Sequence, residues 1–494
     1  MKKLLLIQIL RSFTKDEIFK FDEFLRSPLY NKKPNAIKFF GVLKKHAPDY
    51  SDDFVGKESI WKQLYPDKNF NGGVFKNLIL DLTKLSEKFI ELMQVENSFP
   101  ENKLIYLDAL SKRKIHNKFF QEYESLFKKL EKSRFYQNYY SDIQKLKIKK
   151  LNHCSIHTNY ESEISDELNE ISEYYISDVI VKLSNFYNEI ASRSIAMNKS
   201  GRNGSFELIF GNAELNNILK RSDTLNEKDL SILRVYICKY LAFAFPENTD
   251  NYFNFKNILL KHSGLFSLEE KSALFIHLAD ALNVRPSLKD SNRSLEFLEL
   301  YKLRIDEEVF TELDGTMNIY SYTNIVKIAG KFSDHKLIKF VQDNFFELLL
   351  PEFKENMKYY TDAHYYYSTG EFEKALHSSL SLRLDHFAFK FDIKDLLTMI
   401  YYELGDYEGF MYHFDSYKHF LKKYKSVSAN YRKWYEMFNV GVHRLLKIKM
   451  NFDEYELNKF EQDVHNGKTG SKDWFMERIN KLRKSNRVNT RKKQ

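Results

Sequence analysis

Apolar positions recur at three- and four-residue spacing along most of the chain, a period that predicts helices nearly throughout. Thr14-Lys-Asp-Glu17 has the spacing of a capping box, in which the hydroxyl accepts from the third helical amide and the carboxylate returns to the cap. The helix it opens carries Ile18, Phe19, Phe21, Phe24 and Leu25 and stops before Pro28. A second helix follows Pro34, a short third runs around Ile60 to Leu64, and a long fourth follows Asn71-Gly-Gly73. The fourth aligns Phe75, Leu78, Leu82, Leu85, Phe89 and Leu92 in one apolar stripe. Asn97 to Asn102 predicts a linker, and Asn198 to Ser205 an exposed loop between helical blocks. Thr224 and Ser267 open two more capping boxes, with Glu227 and Glu270 three residues on.

The pattern therefore predicts an all-α chain: a helical module over 1–96, a charged helical spacer over 103–198 and paired helices over 206–450. Further helices follow over 451–477, and a basic, disordered tail over 478–494.

Between Met357 and Tyr424 the chain repeats itself. Ala363, Tyr366, Gly370, Phe372, Ala375 and Leu382 are echoed by Thr398, Tyr401, Gly405, Tyr407, Phe410 and Tyr417, with the two glycines 35 residues apart. In this the stretch resembles tetratricopeptide repeats, and the whole chain is similar to an uncharacterised bacterial family of helical-repeat proteins. The second unit departs from the pattern by placing bulky Phe410 where Ala is usual, and neither unit has its closing proline. The resemblance implies an irregular tetratricopeptide-like α-solenoid in which the first helix of each pair lines a concave groove. By that pattern Tyr360, His364, Tyr367 and Ser368 from one unit, and Asp395, Met399, Tyr402 and Glu403 from the next, face a protein or peptide partner, unless terminal helices cover them.

Charge alters this picture little once it is located. The net +9 comes from 77 basic and 68 acidic residues, and eight of the basic ones lie from Arg478 onward with no acid among them. Removing those eight from 77 leaves 69 basic against 68 acidic residues, so the basic character belongs to the tail. Arg483, Lys484, Arg487, Arg491, Lys492 and Lys493 are the candidate anion-binding residues there, for nucleic acid or an anionic surface. Lys57 to Asp67 and the long helix after it are similar in spacing to the helical part of bacterial winged-helix regulators. Their polar face, however, mixes Lys76, Lys84 and Lys88 with Asp81, Glu87 and Glu91, which predicts a structural helix.

Chemistry-bearing motifs are scarce. Glu161, Glu163, Asp166, Glu167, Glu170 and Glu173 read as a solvated acidic face, because no His stands three residues after a Glu as a ferritin-like di-metal site requires. His153, Cys154 and His157 gather metal-ligand types on one helix, but no further ligand is near in sequence, and no metal or cofactor is expected. Gly467-Lys-Thr469 lacks the earlier glycine and the strand of a phosphate loop, and Gly201-Arg-Asn-Gly204 is too short a pattern to carry a nucleic-acid clamp. Two distant cysteines, a short N-terminal apolar run closed by Arg11, and no long apolar segment suit a soluble cytoplasmic protein.

The leading expectation is a non-catalytic scaffold that binds a partner through its groove. A nucleic-acid-associated regulator using the N-terminal module or the basic tail is the alternative. An enzyme whose site is assembled from distant helices is the third reading.

Overall fold

The structure is a computed structural model, and it describes residues 4–50, 56–157, 164–197, 225–283, 290–383, 387–423 and 429–491. Among these the chain forms twenty-two α-helices, no strand, and one isolated bridge between Phe135 and Phe266. They divide into two compact units. The first comprises Met1–Glu131 and Lys145–Glu161, and the second Lys132–Gln144 and Ser162–Gln494. The predicted loop at 198–205, Thr224 of one capping box, and Glu161 and Glu163 of the acidic run lie outside the described residues.

The first unit holds α1 (Leu5–Ser12), α2 (Lys15–Arg26), α3 (Pro34–Lys44), α4 (Lys57–Leu64), α5 (Gly72–Asn97), α6 (Glu101–Lys112) and α7 (His116–Lys132). To these it adds most of α8 (Tyr139–His157). Thr14 and Glu17 form the complete capping box, with Glu17 N donating to Thr14 Oγ1 at 3.2 Å and Thr14 N donating to Glu17 Oε2 at 2.7 Å. The stripe of α5 packs where its spacing puts it: Phe89 sits 5.2 Å from Phe21 and 5.5 Å from Phe13, ring centre to ring centre. Among the described residues there is no hairpin beside α4 and α5 to act as a wing.

The second unit is a succession of helices, each against its sequence neighbours. It runs α9 (Ile164–Met197), α10 (Glu227–Ala244), α11 (Thr249–His262), α12 (Leu268–Asn283), α13 (Asp290–Asp306), α14 (Ile319–Lys331) and α15 (His335–Phe345). It continues with α16 (Pro351–Thr369), α17 (Phe372–Leu380), α18 (Phe387–Leu404), α19 (Tyr407–Lys423), α20 (Ala429–Met450), α21 (Glu454–His465) and α22 (Lys472–Arg491). The Ser267 box is half formed. Ser267 Oγ accepts from Glu270 N at 3.2 Å, but the Glu270 carboxylate is buried and takes the Tyr236 hydroxyl instead of returning to the cap.

The repeated glycines end α16 and α18. Gly370 (φ +83°) and Gly405 (φ +72°) occupy the left-handed region that closes a helix, and Gly405 N donates to Tyr401 O at 3.0 Å. Ala375 is fully buried at the α16–α17 contact. In the second pair the small residue has moved by one position. A Cβ on Gly409 would stand 2.7 Å from the Tyr401 ring, so Gly409 lets α18 and α19 approach, while Phe410 turns toward α20 and stacks on His443 at 5.7 Å. Gly409→Ala is therefore expected to destabilise the protein by about 1–3 kcal/mol through overpacking, read as a lower midpoint in urea unfolding.

A groove face seated on the C-terminal helix

On α16, Tyr360, His364 and Tyr367 share a face at spacings of four and three residues, and on α18 Asp392, Asp395, Met399 and Tyr402 do the same. The surface they form has two zones.

At the C-terminal ends of α16 and α18, the helix α22 lies across both. Trp474 Nε1 donates to the Tyr367 hydroxyl at 3.0 Å, and the Trp474 ring meets Tyr402 edge-on at 5.2 Å. Arg478, one turn further on, donates from Nε to Glu403 Oε1 at 2.8 Å and from Nη2 to the Tyr367 hydroxyl at 3.2 Å. Its guanidinium also lies over the Trp474 ring at 4.9 Å. The Arg478 and Glu403 side chains keep only 10% and 14% of their surface exposed. Burial opposes the Arg478 charge, but Tyr367, Glu403 and Glu477 together hold its pKa above the ordinary value; burial pushes the Tyr367 hydroxyl up to about 12. Lys449 from α20 completes this end by donating to Tyr402 O at 2.7 Å and Glu403 O at 3.1 Å, carbonyls in the last turn of α18.

Nearer the middle of the same helices the surface is polar. Lys327 of α14 forms an ion pair with Asp392 of α18; the lysine side chain is 45% exposed and the aspartate 12%. Beneath them Tyr360 is fully buried and donates to Thr323 O at 3.3 Å. His364 packs against Gly330, with Nδ1 3.5 Å from where a Cβ would stand, an ordinary van der Waals contact. Burial holds His364 neutral, with a pKa lowered to about 4. Asp395 accepts from the Tyr417 hydroxyl of α19 at 2.7 Å, and burial raises its carboxyl to about 8.

The structure thus redistributes the predicted groove residues. Tyr360 and His364 are core. Ser368 is turned toward α15, its hydroxyl 2.9 Å from His335 Nδ1. Asp395 is tied to α19. Tyr367, Tyr402 and Glu403 meet α20 and α22, and Met399 lies between two apolar clusters. What the sequence reading missed is the counter-surface of Trp474 and Arg478 together with the Lys327–Asp392 pair. The signal for Arg478 was present in Glu477 and Trp474 beside it, which make a helix-end composition rather than a tail.

The basic tail is corrected by the same helix. Residues 478–491 belong to α22, and its first cations are engaged within the fold. Lys481 pairs with Glu477 at 2.8 Å, and Arg483 with Glu461 at 2.6 Å and Glu454 at 3.2 Å. Lys484 is exposed. Arg487 and Arg491 belong to the helix, but their side chains are not among those described, and Lys492 and Lys493 lie outside the described residues.

A cleft of about 460 Å³ between α11 and α13 holds the paired carboxylates Glu296 and Glu299. Lys256 donates to both, at 2.5 and 2.9 Å, and lowers the pKa of Glu299, so they form an ion-paired strut rather than an acid–base pair. No helix among the described residues is long and apolar enough to cross a membrane. No family model matches the chain, and neither does any curated protein or solved structure.

Two outcomes follow from the groove geometry. Arg478→Ala strands Glu403 under α22 and is expected to cost roughly 3–5 kcal/mol in urea unfolding, whereas Lys481→Ala, at an exposed pair, changes stability by less than about 0.5 kcal/mol. For Asp395, the folded pKa of about 8 stands above the ordinary value of about 3.9, so the folded state keeps a proton that the unfolded state gives up. Its contribution to stability is therefore lost as pH rises from about 4 through 8. Asp395→Asn, which still accepts from Tyr417, is expected to gain on the wild type steadily between pH 5 and pH 8 in thermal unfolding; a constant difference contradicts the assignment.

Proposed function

We propose that the chain is a non-catalytic interaction protein whose second unit binds a protein partner along the face of α14, α16 and α18, in the manner of tetratricopeptide-like scaffolds. The observation that supports this most is the seating of α22. One aromatic ring and one guanidinium, a turn apart, are received by two tyrosines and a carboxylate, the amphipathic anchors by which a helix is held in a groove. The half of the face next to α22 carries the solvent-reachable Lys327–Asp392 pair, which supplies a polar rim for a partner segment lying beside the intramolecular helix. We place the protein in the cytoplasm, where Cys154 and Cys238, unbridged here, suit a reducing setting.

The test is affinity capture from the native organism with the wild type, Lys327→Glu and Asp392→Lys. The reading expects a specific partner whose recovery falls by at least about tenfold in each single variant, since each leaves a like-charged pair at the rim. Recovery of the same proteins in the same amounts by all three contradicts it.

A further inference from the structure

The net charge of the chain sits in one of its two units. The first carries 28 basic against 19 acidic residues, a net of +9, whereas the second carries 49 of each, its other acids offsetting the cations from Arg478 onward. Around α6, α7 and α8 many of the first unit's cations are spent locally. Lys149 pairs with Asp108 at 2.5 Å, Lys103 and Lys118 share Glu122 at 3.4 and 2.8 Å, and Lys129 lies over the Phe99 ring at 4.0 Å. Lys112, Arg113 and Lys114, where α6 turns into α7, are different. All three are exposed, and none forms an ion pair among the described residues. Arg113 donates only from Nη1, to Ala109 O at 3.0 Å.

The end of α6, the start of α7 and the end of α8 meet at this tip. Ser111 Oγ lies 2.8 Å from His153 Nδ1, His153 Nε2 lies 3.1 Å from His116 Nδ1, and the His116 and His157 rings are 5.1 Å apart. Lys114 closes α6 in the left-handed region (φ +58°), a position that glycine usually takes, and Ile115 N donates to Leu110 O at 3.1 Å. The residue after such a closure usually packs back on its helix, but Ile115 stays 44% exposed. Ile156, in the last turn of α8 beside His157, is 72% exposed. The tip thus presents three unpaired cations together with two aliphatic side chains.

That combination selects the kind of partner. Unpaired cations call for an anionic surface, and phosphates supply one on nucleic acid and on lipid alike. The isoleucines favour lipid: they have no ring on which a base could stack, whereas at a bilayer they enter the boundary between headgroups and acyl chains. We propose that this tip docks the first unit on an anionic phospholipid surface, with Lys112, Arg113 and Lys114 at the headgroup phosphates and Ile115 and Ile156 between them. Each cation near such a surface strengthens binding roughly fivefold, so the contact is peripheral, reversible and sensitive to salt.

The experiment sediments the full chain with phosphatidylcholine vesicles that contain either about one-third phosphatidylglycerol or none, at physiological and at high salt. The wild type is expected to bind only the anionic vesicles and to be released by salt. Lys112→Ala, Arg113→Ala and Lys114→Ala combined are expected to weaken partitioning at least about tenfold, and Ile156→Ser alone at least about threefold. Lys38→Ala, Lys62→Ala and Lys76→Ala combined remove the same charge from exposed positions elsewhere in the unit, and are expected to change it by less than about twofold. Circular dichroism checks the fold of each variant, and if the tip triple variant fails to fold, Ile156→Ser against the control decides. No binding to the anionic vesicles, equal binding to neutral ones, equal losses in tip and control variants, or unchanged binding by Ile156→Ser overturns the proposal. So does binding of a single-stranded RNA through the same three cations in place of the vesicles, which makes the tip a nucleic-acid surface.

Discussion

The second unit is organised around a charge placed where water scarcely reaches. Arg478 and Glu403 meet at 2.8 Å with most of both side chains covered, and such a pair repays its desolvation only when its other polar atoms are also satisfied. Here they are. Tyr367 and Glu477 take the remaining guanidinium nitrogens, and the Trp474 ring centre lies 4.9 Å from the group. Because every donor must point at a particular acceptor, the pair specifies how α22 crosses α16 and α18 more narrowly than apolar contact does. The opposite face of α22 supplies the apolar part. Phe475 and Ile479 are fully buried, with Phe475 5.4 Å from Phe460 and 5.6 Å from Phe438. The helix is thus held on two sides, by charge toward α16 and α18 and by rings toward α20 and α21.

The abundance of aromatic residues has a related cause. Helical pairs built on small contact residues approach closely, whereas pairs built on Phe and Tyr need compensating gaps. Gly409 makes room for Tyr401, and a Cβ on Gly441 would stand 2.7 Å from the Phe475 ring. Large rings paired with glycines on the facing helix therefore do here what alanine does in more regular repeats. The repeat is irregular because its ring–glycine pairs fall at different positions in successive pairs.

Fold class and many helix boundaries were legible in the sequence because they depend on local signals. Thr14 and Glu17 cap as their spacing predicts, the stripe of α5 packs as drawn, and Gly370 and Gly405 end their helices. The Ser267 box failed in part because a buried tyrosine, distant in sequence, outcompeted the cap for Glu270. The groove was less legible. A helical face can be read from spacing, but what covers it cannot, and Tyr367 and Trp474 are 107 residues apart. The tail was misread for the same reason: Arg478 and Arg483 look like free charge until Glu403, Glu454 and Glu461 are brought to them. His116 is the parallel case in the first unit, invisible as a neighbour of His153 until α7 and α8 pack.

A face that already holds a helix by a ring and a guanidinium is the physical core of the functional account. Hydrogen–deuterium exchange on the full chain, comparing the wild type with Arg478→Ala, tests it most directly. The account predicts faster exchange in α22 and also in the last turns of α16 and α18, around 364–369 and 399–404, with α1 to α5 unchanged. Faster exchange confined to residues after 478, with α16 and α18 as protected as before, contradicts it.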